Sequence, residues 1–116
     1  MGNVIEFSSE ADRDALLEGG PGTMVRGTVL GEEYAVVAIE GRQYRAVSIW
    51  CPHMQADLVE VGYSCGKTLE CGVHGWVFDL NSGEAIESHL PPKPNQKLLP
   101  LTVREVDGVF ELELPQ

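Results

Sequence analysis

At 116 residues, with 8 basic against 18 acidic side chains and a net charge of −10, the chain has room for one domain and lacks the basic footprint that nucleic acid or an anionic membrane surface requires. Its 43% hydrophobic and 22% charged content suits a packed core and argues against disorder. No apolar run approaches the roughly 18 residues that span a bilayer. Glu6, Glu10, Asp12, Arg13 and Asp14 are foreign to a signal peptide. The Met-Gly start has Glu6 where a myristoylation signal wants Ser or Thr. The expected location is therefore the cytoplasm. Acidity can steer a protein towards a basic partner patch, in an encounter that weakens with salt. From composition alone, solubility is the plainer reason for it.

In chain order, "FSSEADRDALLEGG" predicts one short helix, capped by Ser9 with Asp12 three residues on and ended by Gly19-Gly20. The period then changes to two. "TMVRGTVL", "YAVVAIE" and "QYRAVSI" read as strands, separated by turns at Gly31-Glu32-Glu33 and Gly41-Arg42. A glycine-punctuated stretch from Cys51 to Asp79 follows, with Gly62, Gly66, Gly72 and Gly75 marking loops rather than long elements. "WVFDL" and "EAIES" flank Asn81-Ser82-Gly83 as a hairpin. Pro91, Pro92 and Pro94 keep "HLPPKPNQK" out of any helix or inner strand. "PLTVREV" and "VFELEL" close the chain as a hairpin around Asp107-Gly108. Many short strands with turns at close intervals predict an all-β antiparallel sandwich or small barrel, from which the Cys51–Asp79 stretch projects as two loops.

That stretch holds all three cysteines and two of the three histidines. An odd number of cysteines in a cytoplasmic chain is poor material for a disulfide scaffold, so at least one is a free thiol or a ligand. Cys51-Pro52-His53 and Cys71-Gly72-Val73-His74 are separated by seventeen residues, and each half offers one thiolate and one imidazole from a single tight loop. Two assemblies use such a Cys2His2 set: a closed structural zinc site, or a [2Fe–2S] cluster with one cysteine-held and one histidine-held iron. Common zinc fingers group their cysteines in one half and their histidines in the other. One of each per half favours the cluster and leaves zinc as the alternative, in a structural or interaction module.

These motifs, with Gly75 and Phe78 after the second, "HMQADL" after the first, "SGEA" and "LPLTVREVDGVFELEL", strongly resemble the Rieske iron–sulfur family over roughly Val25 to Leu114. The resemblance implies an antiparallel β-sandwich, residues 1–116 as one domain, with a small cluster-binding subdomain of two ligand loops at about 50–80. It implies a covering proline loop at about 89–97. It also makes Cys51 and Cys71 the ligands of the buried iron, and His53 and His74 those of the outer iron. A lone cysteine is usually a small core residue, and a lone histidine an ordinary hydrogen-bonded group. Cys65, which no motif reaches, reads as a free thiol, and His89 as structural. Trp50 and Trp76 flank the ligands and are expected to shield the cluster, while Phe78 reads as core.

Neutral imidazoles leave an oxidised [2Fe–2S] core with two thiolates uncharged, so it takes up an electron more easily than an all-cysteine cluster. High-potential members resemble one another in an extra cysteine pair and in hydroxyl donors to the cluster. Gln55, Ala56, Gly72 and Val73 leave no place for the pair, and Gly75-Trp76-Val77-Phe78 supply no hydroxyl. The expected potential is therefore low in the Rieske range, about −150 mV. An oxygenase also needs a catalytic iron held by two histidines and a carboxylate, and within these residues only His89 remains. By resemblance the protein is no enzyme itself. The resemblance implies a ferredoxin that passes single electrons from a flavin-dependent reductase to a terminal oxygenase of aromatic compounds, either a Rieske dioxygenase or a di-iron monooxygenase. A carrier that visits two partners in turn is expected to be a monomer.

Overall fold

The computed structural model describes residues 3–51, 56–72, 75–87 and 97–113. Within them β1 (Glu6–Phe7), α1 (Glu10–Glu18), β2 (Met24–Val29), β3 (Glu32–Ile39) and β4 (Gln43–Ser48) come first. They are followed by α2 (Leu58–Val61), β5 (Gly62–Ser64), β6 (Thr68–Cys71), β7 (Val77–Asp79), β8 (Ala85–Glu87), β9 (Leu101–Val106) and β10 (Val109–Glu113). The strands form two antiparallel sheets, β1-β2-β3-β4-β9-β10 and β5-β6-β7-β8. Among the described residues no helix is long and apolar enough to cross a membrane. His89 and nearly all of the expected proline loop fall outside the described residues.

The capping signal places α1 where it was expected. Ser9 is extended and its hydroxyl accepts the Asp12 N–H at 3.3 Å, and Gly19 ends the helix. Leu16 anchors it against the larger sheet and is 1% exposed. The first hairpin is tighter than the sequence suggests. Leu30 and Gly31 alone make the turn, both at positive φ, and Val29 pairs with Glu32. Such a left-handed pair matches the twist of the flanking strands, so Glu32 and Glu33 lie inside β3 rather than in the loop. Asp107 and Gly108 make the same kind of turn between β9 and β10. The larger sheet then closes on itself. Ile5 N–H donates to the Phe110 carbonyl at 2.8 Å and Leu112 N–H to that of Asn3 at 2.9 Å, which leaves neither end strand as an open edge.

Closure divides the apolar residues of β3 between two cores. Val36 and Ala38 face inward with Leu16, Tyr44, Ala46 and Phe110, where Phe110 meets Tyr44 and Phe7 edge to face at 4.9 and 5.4 Å. Ala35, Val37 and Ile39 face the second sheet and pack with Val47, Leu58, Leu69, Trp76 and Phe78. An unbroken apolar run is what a strand covered on both faces requires.

The cysteine-rich stretch is more ordered than two projecting loops. It forms α2 and three strands of the four-stranded sheet, in which Gly62 pairs with Cys71 and Leu69 with Phe78. Gly83 ties this sheet to the chain beyond: its N–H donates to the Asp79 carbonyl and its own carbonyl accepts the Leu98 N–H, each at 2.7 Å. At Gly83 φ is +82°, and a Cβ would stand 2.0 Å from the Leu98 carbonyl oxygen. Gly41 has φ +81° but nothing within 4 Å of a Cβ. Gly41→Ala is therefore expected to cost about 1–2 kcal/mol, the left-handed strain alone. Gly83→Ala, which adds a backbone overlap, should cost more than about 3 kcal/mol. Thermal melts of the two variants check the order.

Candidate metal centre

Strand alternation delivers the first cysteine. Ser48 and Trp50 point outward, while Ile49 and Cys51 are buried at 1% and 3% exposure. The chain then leaves the sheet and returns within a few residues. Cys51 N–H donates to the Ala56 carbonyl at 2.9 Å, Trp50 pairs with Asp57, and Leu58 N–H donates to the Ile49 carbonyl at 2.7 Å. The second cysteine repeats the closure. Cys71 N–H donates to the Trp76 carbonyl at 2.8 Å, and Gly75 N–H returns to the Cys71 carbonyl at 2.9 Å. In both cases the cysteine amide donates to the carbonyl five residues on, so each cysteine sits at the root of a short closed loop. His53 and His74 belong by sequence to these two loops and lie outside the described residues.

Cys51 and Cys71 are members of one apolar cluster with Leu58, Leu69, Trp76 and Phe78, and no disulfide joins any of the three cysteines. The two loop roots are locked together through α2. Gly72 N–H donates to the Val61 carbonyl at 2.8 Å, and a Cβ at Gly72 would lie 2.3 Å from that oxygen, so the contact needs glycine. At the other end of α2, Asp57 Oδ1 accepts the Val59 and Glu60 N–H groups at 2.9 and 3.3 Å. Its Oδ2 accepts Arg26 Nη2 at 2.6 Å, while Arg26 Nη1 reaches Glu33 at 2.6 Å. Burial is the largest single influence on Asp57 and pushes its carboxyl up. The Arg26 hydrogen bond, the two amide donors and the Arg26 charge together outweigh it, so the group stays below the usual carboxylate range. Its contribution to stability is present above the ordinary carboxyl value and is lost as pH falls through the lowered one. Glu33 first and Asp57 second hold the Arg26 guanidinium above its usual value.

Asp57 was legible as a cap, since Asp57-Leu58-Val59-Glu60 has the spacing of a capping signature; nothing in the sequence points to Arg26. Trp76, 1% exposed, does cover the cysteine roots, with its ring 6.2 Å from that of Phe78. Trp50 is 50% exposed, so the shielding expected of it is not seen. Phe78 is core. Among the described residues no three His, Cys, Asp or Glu side chains converge as a metal site. Two buried thiols at the roots of two loops, each loop with an imidazole in its sequence, fit a soft-metal cluster shared between the loops.

The model of the Rieske [2Fe-2S] domain matches residues 11–104. The chain belongs to that family. Its cofactor is a Rieske-type [2Fe–2S] cluster, and its antiparallel sandwich is the Rieske fold. The ferredoxin component of the naphthalene 1,2-dioxygenase system of Pseudomonas putida is 31% identical over 85 residues, 73% of this chain and 78% of that protein. Cholesterol 7-desaturase nvd of Xenopus laevis is 42% identical over 65 residues, 55% of this chain but 14% of the desaturase, so this Rieske chain spans a small part of that relative's length. Among solved structures, NdmA of Pseudomonas putida CBB5 superposes with a TM-score of 0.70 at 21% identity, over 98% of this chain and 37% of that one, which shows a shared fold.

Cys65 stands apart from the centre. It is exposed and lies 3.4 Å from the Thr68 hydroxyl. Thr68 first, then the Lys67 and Thr68 amides, lower its thiol to about 7. In the Rieske protein with its cluster bound, iodoacetamide should label Cys65 alone. The labelling rate should climb through about pH 7 rather than through the ordinary thiol range near 8.5. Peptide mapping across a pH series checks both.

Proposed function

We propose that the protein is a one-electron carrier, in which Cys51 and Cys71 hold the inner iron of the [2Fe–2S] cluster and His53 and His74 the outer one. The single observation that carries this reading is the paired closure of the loops. Two cysteines with matching amide bonds are buried in one apolar cluster, and each loop holds one histidine by sequence. The cluster supplies reversible one-electron chemistry in the Rieske potential range. The protein's own part is to keep water from the thiolate side with Leu58, Leu69, Trp76 and Phe78, and to leave the histidine side for a partner.

Residues 1–116 act as a single Rieske domain, a cytoplasmic monomer. The carrier takes electrons from a flavin-dependent ferredoxin reductase and delivers them to a terminal oxygenase of aromatic compounds. The similarity to a dioxygenase ferredoxin over most of both chains supports this role. The similarity to the desaturase is confined to a small part of that protein and does not carry its activity here. Docking relies on charge: residues 50–87 hold Asp57, Glu60, Glu70, Asp79, Glu84 and Glu87 against Lys67 alone.

Anaerobically purified protein is expected to be silent in electron paramagnetic resonance when oxidised. After dithionite it should give a rhombic signal with an average g below that of all-cysteine ferredoxins. Cys51→Ser and Cys71→Ser should lose that signal and Cys65→Ser should keep it; a colourless zinc protein would contradict the reading. The midpoint potential should lie near about −150 mV, and a value well above zero would contradict the low-donor account. Electron delivery to an oxygenase should fall steeply with added salt, and a flat response would remove the acidic docking face.

A further inference from the structure

Arg26 lies on β2 of the larger sheet, yet it binds the subdomain that carries the cysteines. Its two terminal nitrogens are divided between Glu33 on β3 and Asp57 at the start of α2, each at 2.6 Å, with Glu60 at 4.0 Å. The connection continues without a break. Asp57 closes the first loop by pairing with Trp50 and caps α2. The last residue of α2, Val61, accepts the N–H of Gly72, which follows Cys71. One line of hydrogen bonds thus runs from the larger sheet through the exit of the first cysteine loop to the entry of the second. The Arg26 and Asp57 side chains are 29% and 16% exposed, so water screens the contact only in part.

We propose that Arg26 and Asp57 are positioning residues for the cluster: they hold the two cysteine loops in one relative placement and so set its reduction potential. The potential of an iron–sulfur centre depends on hydrogen bonds to its sulfurs and on access of solvent. Loosening the Arg26–Asp57 contact frees α2 and lets water reach the thiolate sulfurs. Water there stabilises the more negative, reduced state, and the potential rises. This inference rests on the ligand assignment made above.

Charge alone gives a different pattern, which makes the inference testable. Removing a nearby positive charge lowers a reduction potential, and removing a negative one raises it. Film voltammetry and electron paramagnetic resonance on cluster-loaded Arg26→Gln, Arg26→Lys, Asp57→Asn and Glu33→Gln proteins separate the two. The expected result is an upward shift and a broadened reduced signal for Arg26→Gln and Asp57→Asn alike. Arg26→Lys should shift too, because an ammonium keeps the charge but not the fork that spans both carboxylates. Glu33→Gln, which leaves the Arg26–Asp57 contact in place, should stay at the wild-type potential. A fall for Arg26→Gln beside a rise for Asp57→Asn would overturn the proposal in favour of charge. Lowered melting temperatures with unmoved potentials would reduce the contact to an ordinary structural tie. Should Asp57→Asn fail to load, the two Arg26 variants decide. Absence of a Rieske signal in the wild type would defeat the ligand assignment; a normal signal with unmoved potentials defeats the positioning alone.

Discussion

The seam between the two sheets governs the rest of the molecule, because it must bury β3 from one side and two cysteines from the other. Ala35, Val37 and Ile39 supply its floor, and Leu58, Leu69, Trp76 and Phe78 its roof. Only a strand already covered on its opposite face by the closed sheet can offer that floor. Closure through Ile5, Phe110, Asn3 and Leu112 is thus a condition for the site, although it lies on another part of the sheet. The cysteines enter the seam by simple devices, strand alternation at Cys51 and the end of β6 at Cys71. A five-residue amide closure then turns the chain back in each case.

This arrangement suits a carrier better than a catalyst. Around Cys51 and Cys71 stand apolar side chains, Leu58, Leu69, Trp76 and Phe78 among them, and the residues that continue each loop include one histidine by sequence. On this account the apolar side chains keep water from the thiolates, and the loops bring the histidine-held iron to the surface that a partner meets. Electron transfer then requires no pocket and no substrate-sized cavity at the centre, only a stable geometry. The ends of both loops are tied down by hydrogen bonds of the residues that flank them. The glycine contact at Gly72, the Asp57 cap and the Arg26 fork are among these ties.

Much of this was legible in the sequence. Ser9 and Gly19 bound α1 as the capping rules require, and the three long strands follow their apolar runs. The Cys-x-His and Cys-x-x-His motifs point to the metal centre from sequence alone. What could not be read has physical causes. Strands of three or four residues beside Gly62 and Gly72 are too short to show a period of two, so β5 and β6 read as loops, whereas Asn81-Ser82-Gly83 marks β7 and β8 as a hairpin. Glu32 and Glu33 look like turn residues in sequence yet serve as strand residues of β3, so the turn falls earlier, at Leu30-Gly31. Trp50 follows the alternation that buries Cys51 and therefore faces outward, against the expectation that both tryptophans cover the centre. Arg26 carries no local signal at all, since its role arises only when β2 and α2 meet.

The central claim is that one cysteine and one histidine from each loop hold the same cluster. Pulsed electron paramagnetic resonance of the dithionite-reduced protein, with and without 15N-labelled histidine, tests it most directly. The account predicts two strongly coupled histidine nitrogens, both replaced on labelling, with one lost in His53→Cys and one in His74→Cys wherever those variants retain a cluster. A reduced cluster with no histidine nitrogen coupling, or with couplings that survive unchanged in both variants, would contradict it.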